Sequence, residues 1–92
     1  MPHVVATYAY TSDTAARDAV RASHREYLGS LDGLLLSGPT SAAGAVLVFE
    51  AGSPADVEAL LDADPFVTHG GIVAERTVVA WDVVLGRWAD RS

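Results

Sequence analysis

Two side chains in this 92-residue chain have the chemistry and the placement for acid–base work, His24 and Asp64. Histidine changes charge near neutral pH more readily than any other side chain, so it can take a proton and give it back. His24 lies in a segment of helical period. At 100° per residue, Ala16, Val20, Tyr27 and Leu31 share one direction, the expected core side. His24 falls about 50° from that centre, with Arg17, Arg21 and Arg25 further round. This shoulder suits a residue facing a cleft; its plainer role is a half-buried histidine bonded to backbone. Asp64 stands before Pro65 and Phe66, where one apolar segment ends and another begins. Asp followed by Pro is a helix N-cap with proline at the first helical position. A cap aspartate is held by backbone N–H groups and keeps an oxygen to orient a histidine N–H, the supporting role of carboxylates beside catalytic imidazoles.

Other residues offer less. Ser37, with Gly38 and Pro39, presents a hydroxyl to a cleft or simply ends a strand, and no G-x-S-x-G elbow surrounds it. Phe66, Tyr8 and Tyr27 suit an apolar pocket or a core. Arg21 and Arg25 suit an anion or a solvated face, with Asp18 pairing Arg21 at i, i+3. The substrate-binding candidates are therefore Ser37, Gly38, Phe66, Tyr8 and Arg21. His3, His24 and His69 have no i, i+4 spacing and no H-E-x-x-H motif, so no metal site is expected. Gly70-Gly71 is too short for a phosphate loop and follows a helix, so no cofactor is expected.

The elements that must position these residues follow from pattern. His3 to Tyr10 reads as a strand rich in Val and Tyr. Thr11 to Thr14 offers N-cap side chains, and a helix runs from Asp13 to about Leu31, closed by Gly29, Gly33 and the Asp32-Gly33 turn. Leu34 to Ser37 is a second strand stopped by Gly38-Pro39. Thr40 to Gly44 is a hairpin loop, and Ala45 to Phe49 is a buried strand. Ser53-Pro54-Ala55-Asp56 starts a second helix, with Val57, Leu60 and Leu61 inward and its end near Ala63. A short helical turn reaches His69, Gly70-Gly71 breaks it, and Ile72 to Leu85 is a long final strand. Gly86 to Ser92 is a polar tail anchored by Trp88. The order β-α-β-β-α-β predicts an α+β, ferredoxin-like fold: a four-stranded antiparallel sheet with two helices on one face. Tyr8, Val46, Val48, Val79 and Trp81 would then be wet on the open face. A homodimer packed sheet to sheet would cover them.

Residues 1–92 read as one domain without repeats or linkers. Half the residues are hydrophobic, enough for a single core, though small domains often gain by pairing. Net charge is −6, and all six bases are arginine. An acidic chain without a basic stripe is a poor match to nucleic acid or an anionic membrane surface. No cysteine is present to make a disulfide, a thiolate nucleophile or a zinc ligand. The uncharged run from Leu34 to Phe49 is broken by Gly38, Pro39 and Gly44 and cannot span a bilayer as a helix. No signal-peptide pattern opens the chain, and a cytoplasmic location is the default.

Four segments, in order, resemble the YCII-related (YciI-like) domain family. Arg21-Ala22-Ser23-His24-Arg25-Glu26-Tyr27-Leu28 resembles its R-x-x-H-x-x-Y-L segment. Leu35-Leu36-Ser37-Gly38-Pro39 resembles its L-x-S-G-P turn, Ala63-Asp64-Pro65-Phe66 its A-D-P-F/Y segment, and Gly71-Ile72 the G-L pair that follows. Thr40 to Gly44 departs from many relatives in lacking acidic residues, and His69 falls where relatives vary. The resemblance implies a dimeric α+β barrel of ferredoxin-like subunits and a His–Asp active site in a cleft, carried here by His24 and Asp64. One branch of the family resembles a dehydrochlorinase of chlorinated hydroxyhydroquinones; that substrate is not carried over to this chain. Two functions are expected on this basis. One is a cofactor-independent enzyme that abstracts a proton from a small cyclic or aromatic substrate, leading to elimination, dehydrochlorination or isomerisation. The other is a non-catalytic dimer that holds a small ligand or docks on a larger partner.

Overall fold

Asp13 caps the first helix as its position suggests: its side chain accepts the Ala16 N–H at 3.0 Å. The structure, a computed structural model, describes residues 2–89. The elements are β1 (His3–Tyr10), α1 (Thr14–Gly29), β2 (Leu34–Thr40), β3 (Gly44–Glu50), α2 (Pro54–Asp62), α3 (Pro65–Thr68) and β4 (Val73–Trp81). The strands form one antiparallel sheet in the order β2-β3-β1-β4. Each helical crossover thus returns two strands away and leaves room for an antiparallel strand between, the split βαβ arrangement of a ferredoxin-like fold. α2 carries Ser53 as N-cap and Pro54 in its first turn, and buries Val57 and Leu61.

Strand parity fixes which side chains meet the helices. Val4, Ala6 and Tyr8 of β1 pair with Phe49, Leu47 and Ala45 of β3, and all six are buried. With Leu28, Val57 and Leu61 they make the core. Burying these side chains is the main stabilising term, roughly 1.5–3 kcal/mol for each large one. The opposite face carries Val5, Thr7, Val46, Val79 and Trp81, and Val46, Val79 and Trp81 are exposed. A bond between the Thr7 and Thr77 hydroxyls crosses this face.

Several expectations are corrected. Tyr8 is not on the open face; it points to the helix side and is 3% exposed, because Val4, Ala6 and Tyr8 share one parity. Val48 lies on the open face but is buried, flanked across the ladder by Val5 and Leu36. Gly38-Pro39 does not end β2, which runs on to Thr40 with Gly38 opposite Val46 and Pro39 opposite Ala45. β2 is an edge strand, where a missing N–H costs little. β4 ends at Trp81, and Val84 and Leu85 beyond it are exposed. Trp88 is exposed rather than a buried anchor, and residues 90–92 of the expected tail lie outside the described residues. The buried stripe of α1 is also rotated: its buried residues are His24 and Leu28. His24 therefore faces inward rather than from a shoulder. No helix among the described residues is long and apolar enough to cross a membrane.

Candidate functional site

The Asp64 carboxylate is wholly buried and makes three hydrogen bonds. Its Oδ1 accepts the Phe66 N–H at 3.0 Å, the N-cap bond of α3, with Pro65 in the first turn. Its Oδ2 accepts the Tyr8 hydroxyl at 2.7 Å. Oδ1 also lies 2.8 Å from Nδ1 of His24, forty residues away in sequence. A carboxylate that takes an N–H and an O–H acts as acceptor, so the His24 Nδ1 bears the hydrogen and donates it. Nε2 is then the bare nitrogen, and it has no protein partner among the described residues. The His24 ring lies flat on Phe66, with centroids 3.8 Å apart and planes within 3°. Asp64 holds one edge of the imidazole and Phe66 holds its face, so the ring has little freedom left.

α1 does not close on the β2–β3 half of the sheet. Between them is a cavity of about 460 Å³, within the range of small-molecule sites. His24 and Phe66 line it, Leu28 and Leu47 are among its apolar walls, and Ser37 and Gly38 lie along its β2 side. Ser37 is exposed, with Gly38 half-buried beside it. Arg17, Arg21 and Arg25 line the α1 side. Arg21 pairs with Asp18 at 2.7 Å, and the Arg17 guanidinium sits over the Tyr10 ring at 4.6 Å. The structure therefore brings His24, Phe66, Ser37, Gly38 and Arg21 to one cavity, with Asp64 directly behind His24.

Tyr8, expected to line the pocket, instead stands behind Asp64 and fills its second oxygen. Burial first, then the Asp64 hydrogen bond and charge, raise its hydroxyl well above the ordinary tyrosine range, which keeps it a donor. Tyr27 turns to α2 and donates to the Leu60 carbonyl at 2.6 Å. Tyr10 was not singled out in the sequence. It packs edge-on to Phe66 at 5.7 Å and lines the cavity, and burial raises its hydroxyl against the opposing charge of Arg17. The alternation of β1 marks Tyr8 and Tyr10 as a same-face pair, the only signal that could have found it. His69 is exposed and 2.8 Å from the Gly70 carbonyl, and no three metal-ligand side chains converge among the described residues.

No curated protein matches the chain by sequence. Among solved structures, the chain is similar to the 5-chloro-2-hydroxyhydroquinone dehydrochlorinase TftG of Burkholderia phenoliruptrix, determined with 2,5-dihydroxybenzoquinone. Identity is 26% and the TM-score 0.73, covering 88% of this chain and 93% of that one. A dabb-family protein with a ferredoxin-like fold from Mesorhizobium loti is 14% identical at a TM-score of 0.53, covering 94% of this chain and 100% of that one. A Pseudomonas aeruginosa protein is 11% identical at 0.54, covering 87% and 91%. The last two show the fold alone. The profile of the YCII-related domain matches residues 1–82, nearly the whole described chain. The chain belongs to the YCII-related domain family.

Proposed function

We propose that this protein is a small acid–base enzyme acting on a cyclic or aromatic organic substrate, with His24 as the proton-transferring residue and Asp64 as its orienting partner. The observation that carries the reading is the hydrogen bond of buried Asp64 to Nδ1, which leaves Nε2 as the bare nitrogen of a ring that lines the cavity. The likeness to a dehydrochlorinase determined with a dihydroxybenzoquinone supports elimination as the reaction class.

The chemistry needs only a base in place. In the keto form of a halogenated hydroxylated ring, Nε2 removes the proton from the carbon next to the carbon–halogen bond. The C–H electrons form a ring double bond, and halide leaves with the electrons of its own bond. The net change is loss of one proton and one halide, so no oxidant or reductant enters. Asp64 stabilises the imidazolium that forms, which then gives its proton to water. Isomerisation uses the same first step and returns the proton to another atom. Positioned acid–base groups of this kind contribute about 10²–10⁴-fold in rate.

Residues 1–92 act in this reading as one domain. A second copy covers the open face through Val46, Val79 and Trp81, whose exposure supports a sheet-to-sheet homodimer. The enzymatic reading is tested by halide release from chlorinated hydroxyhydroquinones and phenols by wild type and His24→Ala. Release by wild type that falls about a hundredfold or more in the variant is expected. Equal release by both removes His24 from the mechanism. Binding without release makes the cavity that of a ligand-holding module.

A further inference from the structure

The charge of the cavity runs against the charge of the chain. Acids outnumber bases twelve to six, yet three of the six arginines, Arg17, Arg21 and Arg25, line this one cavity. No acid among the described residues lines it. The three lie at i, i+4 spacing on α1, the spacing that stacks side chains in a row along a helix. They differ in how far each is committed. Arg17 is occupied by the Tyr10 ring. Arg21 pairs with Asp18, an exposed partner in an i, i+3 pair of the kind that contributes little and re-forms easily. Arg25 is exposed and has no partner among the described residues.

We infer that the cavity takes an anionic ring, a phenolate or an aromatic carboxylate, with Arg21 and Arg25 holding its negative oxygen. This substrate class rests on the ring-binding reading of the cavity given above. The apolar walls at Leu28, Leu34 and Leu47 suit the ring, and His24 stacked on Phe66 lines the same cavity. Guanidinium is the side chain best matched to a planar, negative, two-oxygen group, and it binds such groups in pairs of parallel hydrogen bonds. The same charge has a catalytic consequence. A positive row facing the ring favours the phenolate over the phenol and offsets the charge that grows on the ring as Nε2 removes a proton. A neutral ring of equal shape would gain the walls but not the row.

The test compares 2,5-dihydroxybenzoate with 2,5-dihydroxybenzamide, of nearly the same shape but without the charge, by calorimetric titration at neutral pH. The acid is expected to bind about tenfold or more tightly than the amide. Added salt should weaken the acid alone. The double variant Arg21→Gln/Arg25→Gln should bring the two affinities together, and the Lys pair should restore part of the gap. Arg87→Gln, at an exposed site outside the cavity, should leave the gap unchanged. Equal affinity for the two probes, no binding of either, or an unchanged gap in the double variant each overturns the inference. Because binding alone is read, a protein that prefers the acid through its arginines yet releases no halide sinks the elimination reading and leaves this one standing.

Discussion

Asp64 has three partners and no contact with water, so each partner's loss has its own signature. Asp64→Asn replaces an acceptor with a group that can present N–H to Nδ1, and the imidazole then turns to the wrong tautomer. Turnover should fall by about a hundredfold or more with substrate affinity little changed, read from the separation of kcat and KM. Tyr8→Phe leaves Oδ2 buried and unpaired, at a cost of about 1–3 kcal/mol in urea denaturation at neutral pH. It also changes the alkaline profile. Tyr8 holds its proton more tightly folded than unfolded, so its contribution is complete below the unfolded tyrosine value of 10.0 and is lost as pH rises past it. Wild type should lose stability between neutral pH and about pH 11 more steeply than Tyr8→Phe. Tyr10, also raised, keeps part of the slope in the variant.

Among the elements, the sequence was most legible where structure is local. Ser53-Pro54 and Asp64-Pro65 mark their helix starts because a cap depends on residues two or three positions away. What depended on partners was not legible. The facing of Tyr8 follows from strand pairing, which composition does not encode. A wheel set by apolar residues alone puts His24 on the shoulder of α1, whereas the helix buries its histidine beside Leu28 and turns its arginines to a cavity. Pro39 reads as a stop in the sequence because the edge position of β2 is a property of the sheet. Two substitutions test the packing. A Cβ at Gly44 would stand 2.2 Å from the Tyr8 carbonyl oxygen, a backbone atom, so Gly44→Ala must part β1 from β3. A loss of about 1–3 kcal/mol in urea denaturation is expected. Arg76 ties β4 to α2 through Glu58 at 3.1 Å and Asp62 at 2.9 Å. Burial works against its charge, but the Asp62 hydrogen bond and the two carboxylate charges outweigh it and raise its pKa further. Both carboxylates are largely exposed, so Arg76→Ala should cost only about 0.5–1 kcal/mol, less at high salt.

For the whole molecule, one sheet face packs against the helices and holds the cavity, and the other presents Val79 and Trp81 about half exposed. A homodimer through that face predicts sedimentation at twice the monomer mass, and Val79→Asp should shift the protein to monomer. A monomeric wild type contradicts the dimer without touching the cavity, which lies on the helix side. The fold also explains how residues forty apart come within a hydrogen bond: α1 crosses one side of the sheet, and α3 starts at the carboxylate that meets it. On that meeting the functional reading depends, and nitrogen-15 NMR of the His24 ring tests it without any substrate. Neutral His24 carrying its hydrogen on Nδ1, with Nε2 bare, is the predicted result, and Asp64→Asn should abolish that preference. Hydrogen on Nε2 in wild type would contradict it, because the nitrogen left without a protein partner would then have no lone pair with which to take a proton.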